Sequence, residues 1–170
     1  MKAQAPLKSA IVLALNAAAG NPRNSEGAFV TLTDGRILFA WSRYRGESWA
    51  DEARADIAAR FSSDGGKTWS PEERILVSNE VACNVMSASL LRLQDGRIAL
   101  FCLRKNSLCD CRLWMRTSAD EGDTWSEPAC CIPAPWRGAS SAPWTRRACT
   151  GWWTPMESSS PVRLRAMAGA

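Results

Sequence analysis

Apolar positions in this chain recur with a period of two, in short runs broken by Asp-Gly, and nowhere with the spacing of a helical stripe. The run "FVTLTDGRILFAWSRY" (29–44) alternates, turns at Asp34-Gly35 and resumes as an apolar strand. "LLRLQDGRIALFCLRK" (90–105) repeats this around Asp95-Gly96. Asp-Gly suits a tight turn with positive φ, so each stretch predicts a β-hairpin. A third run follows each hairpin, at 55–63 and 111–119, and a fourth short one at 73–78 and 128–132. An earlier run, "AIVLAL", predicts one more strand near the N-terminus.

Between the third and fourth runs the chain repeats itself, as "SSDGGKTWS" (62–70) and "TSADEGDTWS" (117–126). The hairpins are offset by 61 residues and these boxes by 56. Four short antiparallel strands repeated at such a period describe a propeller blade. The predicted class is therefore all-β, with two four-stranded blades at about 21–80 and 81–135. Asp64 and Asp120 fall in the turn before the fourth strand, where a carboxylate can accept hydrogen bonds from its own backbone, and Gly66 and Gly122 supply positive φ. Thr68-Trp69 and Thr124-Trp125 follow, with each indole placed to wedge between sheets. A carboxylate committed to its own turn is not a general acid. Both boxes, including Ser62 and Ser118, read as structural.

Composition changes this picture at the ends of the chain. At 170 residues the length suits one domain with a usable core, and no apolar run is long enough to span a bilayer. The net charge of +4 is accounted for by residues 136–170, which hold Arg137, Arg146, Arg147, Arg163 and Arg165 against Glu157 alone. The body is neutral, so the basicity gives no reason to expect nucleic acid or membrane as a partner. Residues 136–170 also hold Trp136, Trp144, Trp152 and Trp153 and no Lys, Asp, Asn, Ile, Phe or Tyr. Such a tail reads as foreign to the preceding fold, either disordered or the product of an out-of-frame extension of a GC-rich gene. Seven Cys (83, 102, 109, 111, 130, 131 and 149), no CxxC and no His give neither a zinc site nor a disulfide framework, so reduced thiols are expected. Residues 1–20 have a weak signal-like look through Lys2, Lys8 and the run Ala10–Leu15. That run is short, which favours a strand and a cytoplasmic location.

The doubled Ser-x-Asp-x-Gly-x-Thr-Trp box after Asp-Gly hairpins resembles the Asp-box, or BNR repeat, of the sialidase (neuraminidase) superfamily, from about Asn21 to Ile132. The resemblance implies a six-bladed β-propeller of which this chain holds about two blades, with the boxes on the periphery. At about 55 residues per blade six would need roughly 330, so the chain looks like an N-terminal fragment. It also implies a terminal sialic acid on a glycoconjugate as substrate, and no metal or organic cofactor. Sialidases open the first blade with an Arg, usually before Ile-Pro, that binds the sugar carboxylate. In "NPRNSEGAFVTL" this is Arg23, with Asn24-Ser25 in place of Ile-Pro. A guanidinium suits a carboxylate because it can donate two parallel hydrogen bonds. A second Arg follows the second strand, which implies Arg45, with Arg43 a rival. The acid/base Asp sits before the third strand, which implies Asp51 in "GESWADEARADIAARF", with Glu52 and Asp56 as alternatives. Asn84 matches a position that often lines the pocket, and Glu26 could orient Arg23. The family's Tyr nucleophile and its Glu partner come from later blades. The one Tyr here, Tyr44, stands in the first blade, so the chain is expected to be inactive alone. The alternative reading is a non-catalytic Asp-box propeller that binds glycan or protein.

Overall fold

A computed structural model describes residues 9–80, 83–107, 110–132 and 161–167. Among them there is no helix. Ten strands follow in order: β1 Ser9–Leu15, β2 Asn24–Thr31, β3 Ile37–Tyr44, β4 Ala55–Ser62, β5 Arg74–Val77, β6 Asn84–Arg92, β7 Ile98–Ser107, β8 Asp110–Ser118, β9 Ala129–Cys130 and β10 Val162–Met167. They form two antiparallel meanders of four strands, β2-β3-β4-β5 and β6-β7-β8-β9, and a two-stranded sheet, β1-β10. The two meanders are the predicted blades. The hairpins turn at Asp34-Gly35 and Asp95-Gly96, where both Gly residues have positive φ. The fourth strand of the second blade is short because Pro128, which has no N–H to donate, stands directly before it.

Alternation along β3 sorts the core into two layers. Leu38 and Ala40 face the second blade and join Ile57, Ala59, Val85, Ile98, Leu100 and Cys102 in one cluster. Phe39 and Trp41 face the other way, and with Ala58 they bury Leu13 and Leu15 of β1, against which Val162 and Leu164 of β10 also pack. The first blade is thus covered on both faces, by the second blade and by the β1-β10 ribbon. Each box indole sits in the layer on the N-terminal side of its blade, Trp69 against the ribbon cluster and Trp125 against the interblade cluster. Both wedge between sheets, as the sequence predicts.

The two box turns are alike. Asp64 Oδ1 accepts from the N–H groups of Lys67 and Thr68 at 2.9 and 2.8 Å, and Oδ2 accepts from the Thr68 hydroxyl at 2.7 Å. Asp120 accepts from Thr124 N at 2.8 Å and from its hydroxyl at 2.5 Å. Ser62 and Ser118 each donate to the box Asp and accept from the N–H of Gly66 and Gly122. Glu121 of the second box then reaches the first blade, accepting from Thr33 N at 2.8 Å while paired with Arg92, which itself donates to the Thr31 carbonyl.

Of the stretch from 136 onward, residues 161–167 are described, and Val162–Met167 form β10. The four Trp, Arg137, Arg146, Arg147 and Cys149 lie outside the described residues, as do Lys2, Lys8 and Cys109. Cys83, Cys102, Cys111, Cys130 and Cys131 are free thiols.

Candidate functional site

The hairpin turns and boxes occupy one end of the strands. At the other end, about 25 Å away along an eight-residue strand, the start of β2, the end of β3, the loop 45–54, the start of β6 and the end of β7 converge. The register requires this, since Asn24 lies opposite Arg43, Tyr44 opposite Ala55, and Asn84 opposite Lys105.

Arg23 is the centre of this end. Its Nη1 donates to Asp51 Oδ1 at 2.6 Å and to the Trp49 carbonyl at 3.2 Å. Nη2 lies 3.7 Å from Glu26. Its guanidinium rests on the ring of Tyr44, 4.6 Å from the centroid, a cation–π contact. Burial works against the charge of Arg23, but the hydrogen bond to Asp51 and the charges of Asp51 and Glu26 outweigh it, so its pKa lies above the ordinary value. Glu26 reaches Arg23 from a β-bulge, at φ +30, between Ser25 and Gly27, where an extra residue re-aims the side chain. Asn24, standing where the resemblance implies Ile, accepts from the Trp41 indole at 2.9 Å and donates to the Leu15 and Asn16 carbonyls. It moors the segment that carries Arg23.

Tyr44 is fully buried. Burial pushes its phenol up to about 12, although Arg23 above it pulls the other way. A covered phenol held in its neutral form is a platform for Arg23 and not a nucleophile.

The structure brings Arg23, Glu26, Asp51 and Asn84 together, and it directs Arg45 elsewhere. Arg45 Nε and Nη2 hold both oxygens of Asp56 at 2.7 and 2.8 Å, and Asn79 N donates to the same carboxylate at 2.7 Å. Asp56 is buried, which distinguishes it from Asp51 as an acid, and Glu52 is exposed in the loop. Arg43 is paired with Glu73 at 2.7 Å. Asn84 is also fully buried, with both amide hydrogens committed, to the Asp51 carbonyl at 2.6 Å and the Ala53 carbonyl at 2.9 Å. Lys105, which the sequence reading did not single out, places Nζ 3.5 Å from the same Asp51 carbonyl. Its position at the end of β7, level with Asn84, was the available signal. No group of three metal-ligating side chains occurs among the described residues.

A family model described as a BNR repeat-like domain matches residues 35–158. Among solved structures, the chain is similar to the Hadza microbial sialidase Hz136, with 23% identity and a TM-score of 0.53, over 65% of this chain and 26% of that one. It is similar to the NanB sialidase of Streptococcus pneumoniae, with 11% identity and a TM-score of 0.52, over 76% and 39%. It is also similar to Zg3597, a family 117 glycoside hydrolase from Zobellia galactanivorans, with 15% identity and a TM-score of 0.58, over 78% and 46%. These likenesses show the fold, the sialidase-type β-propeller, of which the described residues form two blades. The chain spans less than half the length of each of these structures.

Proposed function

Because the chain belongs to the BNR repeat-like domain family, we propose that it provides the acid and carboxylate-binding part of a sialidase-like glycoside hydrolase acting on a terminal α-linked sialic acid. The observation that carries this reading is the Arg23–Asp51 pair at 2.6 Å, set over Tyr44 at the end of the strands away from the boxes. A guanidinium with one nitrogen committed to Asp51 keeps the donors of its other edge for a carboxylate. In this reading the sugar carboxylate docks on that edge and shares the charge of Arg23, which weakens the hold on Asp51. Asp51, released, takes up a proton from solvent, turns to the glycosidic oxygen and gives it that proton as the general acid. Glu26 keeps the guanidinium oriented. Arg45 supports the end of β3 through Asp56 and serves the site at one remove. Hydrolysis also needs an attacking group, and Tyr44 cannot be it, so that group comes from outside the described residues. The relatives named a sialidase and a family 117 glycoside hydrolase agree with a carbohydrate substrate.

The test is turnover of an α-linked sialyl-lactose. The 170-residue chain alone is expected to give none above background. Joined to the later blades of a longer relative, it should hydrolyse the sialoside, and Asp51→Ala should lower kcat by about a hundredfold, the scale of losing a positioned acid. Robust turnover by the chain alone, or an Asp51→Ala protein of normal rate, overturns the assignment. A completed protein that binds the glycan without cleaving it would support the non-catalytic propeller instead.

A further inference from the structure

Asp51 belongs to the first blade, but what holds its main chain belongs to the second. Asn84 opens β6 and Lys105 ends β7, and the two are register partners. Asn84 Nδ2 donates to the carbonyls of Asp51 and Ala53 at 2.6 and 2.9 Å, and Lys105 Nζ stands 3.5 Å from the Asp51 carbonyl. Asn84 is completely buried and its Oδ1 has no partner among the described residues. A buried amide with one unmet acceptor is costly, and a position chosen for packing alone would be filled better by an apolar side chain. Its geometry is explained by the loop it grips, since an Asn has two N–H groups and both are directed at carbonyls two residues apart.

We propose that Asn84 and Lys105 are positioning residues that fix the Asp51 loop from the neighbouring blade, so that the candidate site is assembled only when the two blades dock. The loop 45–54 has no strand of its own, and apart from the second blade it is tied by Arg45 N to Arg54 O, Ala53 N to Ala50 O, Gly46 N to Gly20 O, the Arg45–Asp56 pair at its start and the bonds of Arg23 to Trp49 and Asp51. Those bonds close the loop on itself and anchor its two ends and Arg23. The Asn84 bonds set its height and direction relative to the strand ends. A buried side chain cannot touch a sugar, so Asn84 acts through Asp51 rather than on the substrate.

This inference rests on the reading of Asp51 as the acid, and its test is chosen to be independent of that reading. Amide hydrogen exchange over 47–54 is followed in the full chain, with the box turn 64–68 of the same molecule as an internal standard. Asn84→Asp keeps the side-chain size and, when ionised, donates to neither carbonyl. It should speed exchange in 47–54 at least tenfold at neutral pH with 64–68 unchanged. Unchanged protection of 47–54 in a folded Asn84→Asp chain overturns the proposal. If Asn84→Asp unfolds the whole chain, Lys105→Met decides. A two- to fivefold rise confined to 47–54 supports the positioning role, and no rise overturns it. In the protein completed by later blades, Asn84→Asp should also displace the acid limb of the kcat/KM profile along the pH axis, whereas a smaller folded fraction would only scale that profile down. Loss of all turnover in the wild-type protein would count against the acid assignment, while the exchange result would still decide the positioning role.

Discussion

Asp64, Asp120 and Asp51 are all carboxylates in loops beside a strand, and their partners give them different uses. The N–H and hydroxyl of Thr68, with Ser62 and Lys67 behind them, hold Asp64 at about 2, against an ordinary 3.8. The hydroxyl and N–H of Thr124, helped by Ser118, hold Asp120 at about 2. A folded-state pKa below the unfolded one means stability that is present above about pH 4 and lost as the pH falls toward 2. Thermal unfolding followed from pH 6 to pH 2 should show that decline. The Asp64→Asn, Asp120→Asn double variant should melt lower at pH 6 and show a shallower dependence below pH 4. A double variant with the wild-type slope would mean that these bonds are not what depresses the titration. Arg45 offers a second test at this scale. Removing it leaves Asp56 buried with Asn79 N as its remaining donor among the described residues, so Arg45→Ala should cost about 2 kcal/mol, below the full penalty of a buried pair because Arg45 itself is half exposed. An unchanged melting temperature would return Arg45 to the list of direct ligand contacts.

At the scale of strands and turns, what the sequence shows plainly is whatever depends on period. The two hairpins, the four-strand order and the equivalence of the boxes follow from alternation, Asp-Gly and a doubled motif, and each appears at the expected place within a few residues. Arg23, Glu26 and Asp51 could be aligned by resemblance and are found in contact. The Arg45–Asp56 pair was not legible, because it depends on register at the end of β3 and β4, where small shifts exchange one partner for another. The resemblance implies a pocket-lining Asn84, since its position at the start of β6 is visible in the sequence and its burial is not. β10 is not legible in the sequence for a related reason. "VRLRAM" does alternate, but it lies beyond a stretch without strand signals, and its partner β1 is at the far end of the chain. The wedge indoles give the test of this level. Trp125 fills the layer between the blades, so Trp125→Ala should destabilise the chain by about 3 kcal/mol in denaturant unfolding. Gly122, at φ +91 with a Cβ position 3.2 Å from Leu38, should likewise tolerate no side chain. A Trp125→Ala loss under 1 kcal/mol would mean that the indole does not join the blades.

At the scale of the whole molecule, coverage of the two blades is unequal among the described residues. The first blade has a sheet on each face. On the second, Phe101 lies opposite Met115 and Leu103 opposite Leu113, on the face turned away from the interblade cluster, and all four are half-buried. Apolar sheet faces of this kind drive association. The purified chain should therefore self-associate in size-exclusion chromatography with light scattering, and Leu113→Lys with Met115→Lys should shift it toward monomer. A monodisperse wild-type monomer would contradict this. The docking of the blades sets Asn84 against the loop that carries Asp51, beside the Arg23–Asp51 pair of the first blade, where Arg23 is proposed to receive a carboxylate. The most direct measurement is a titration of the Arg23 Nε–Hε resonance with N-acetylneuraminate and, separately, with its methyl ester. The acid should shift and sharpen that resonance and the ester should not, with the effect lost in Arg23→Ala. No response to the acid, or an equal response to the ester, would contradict the site proposed for this chain.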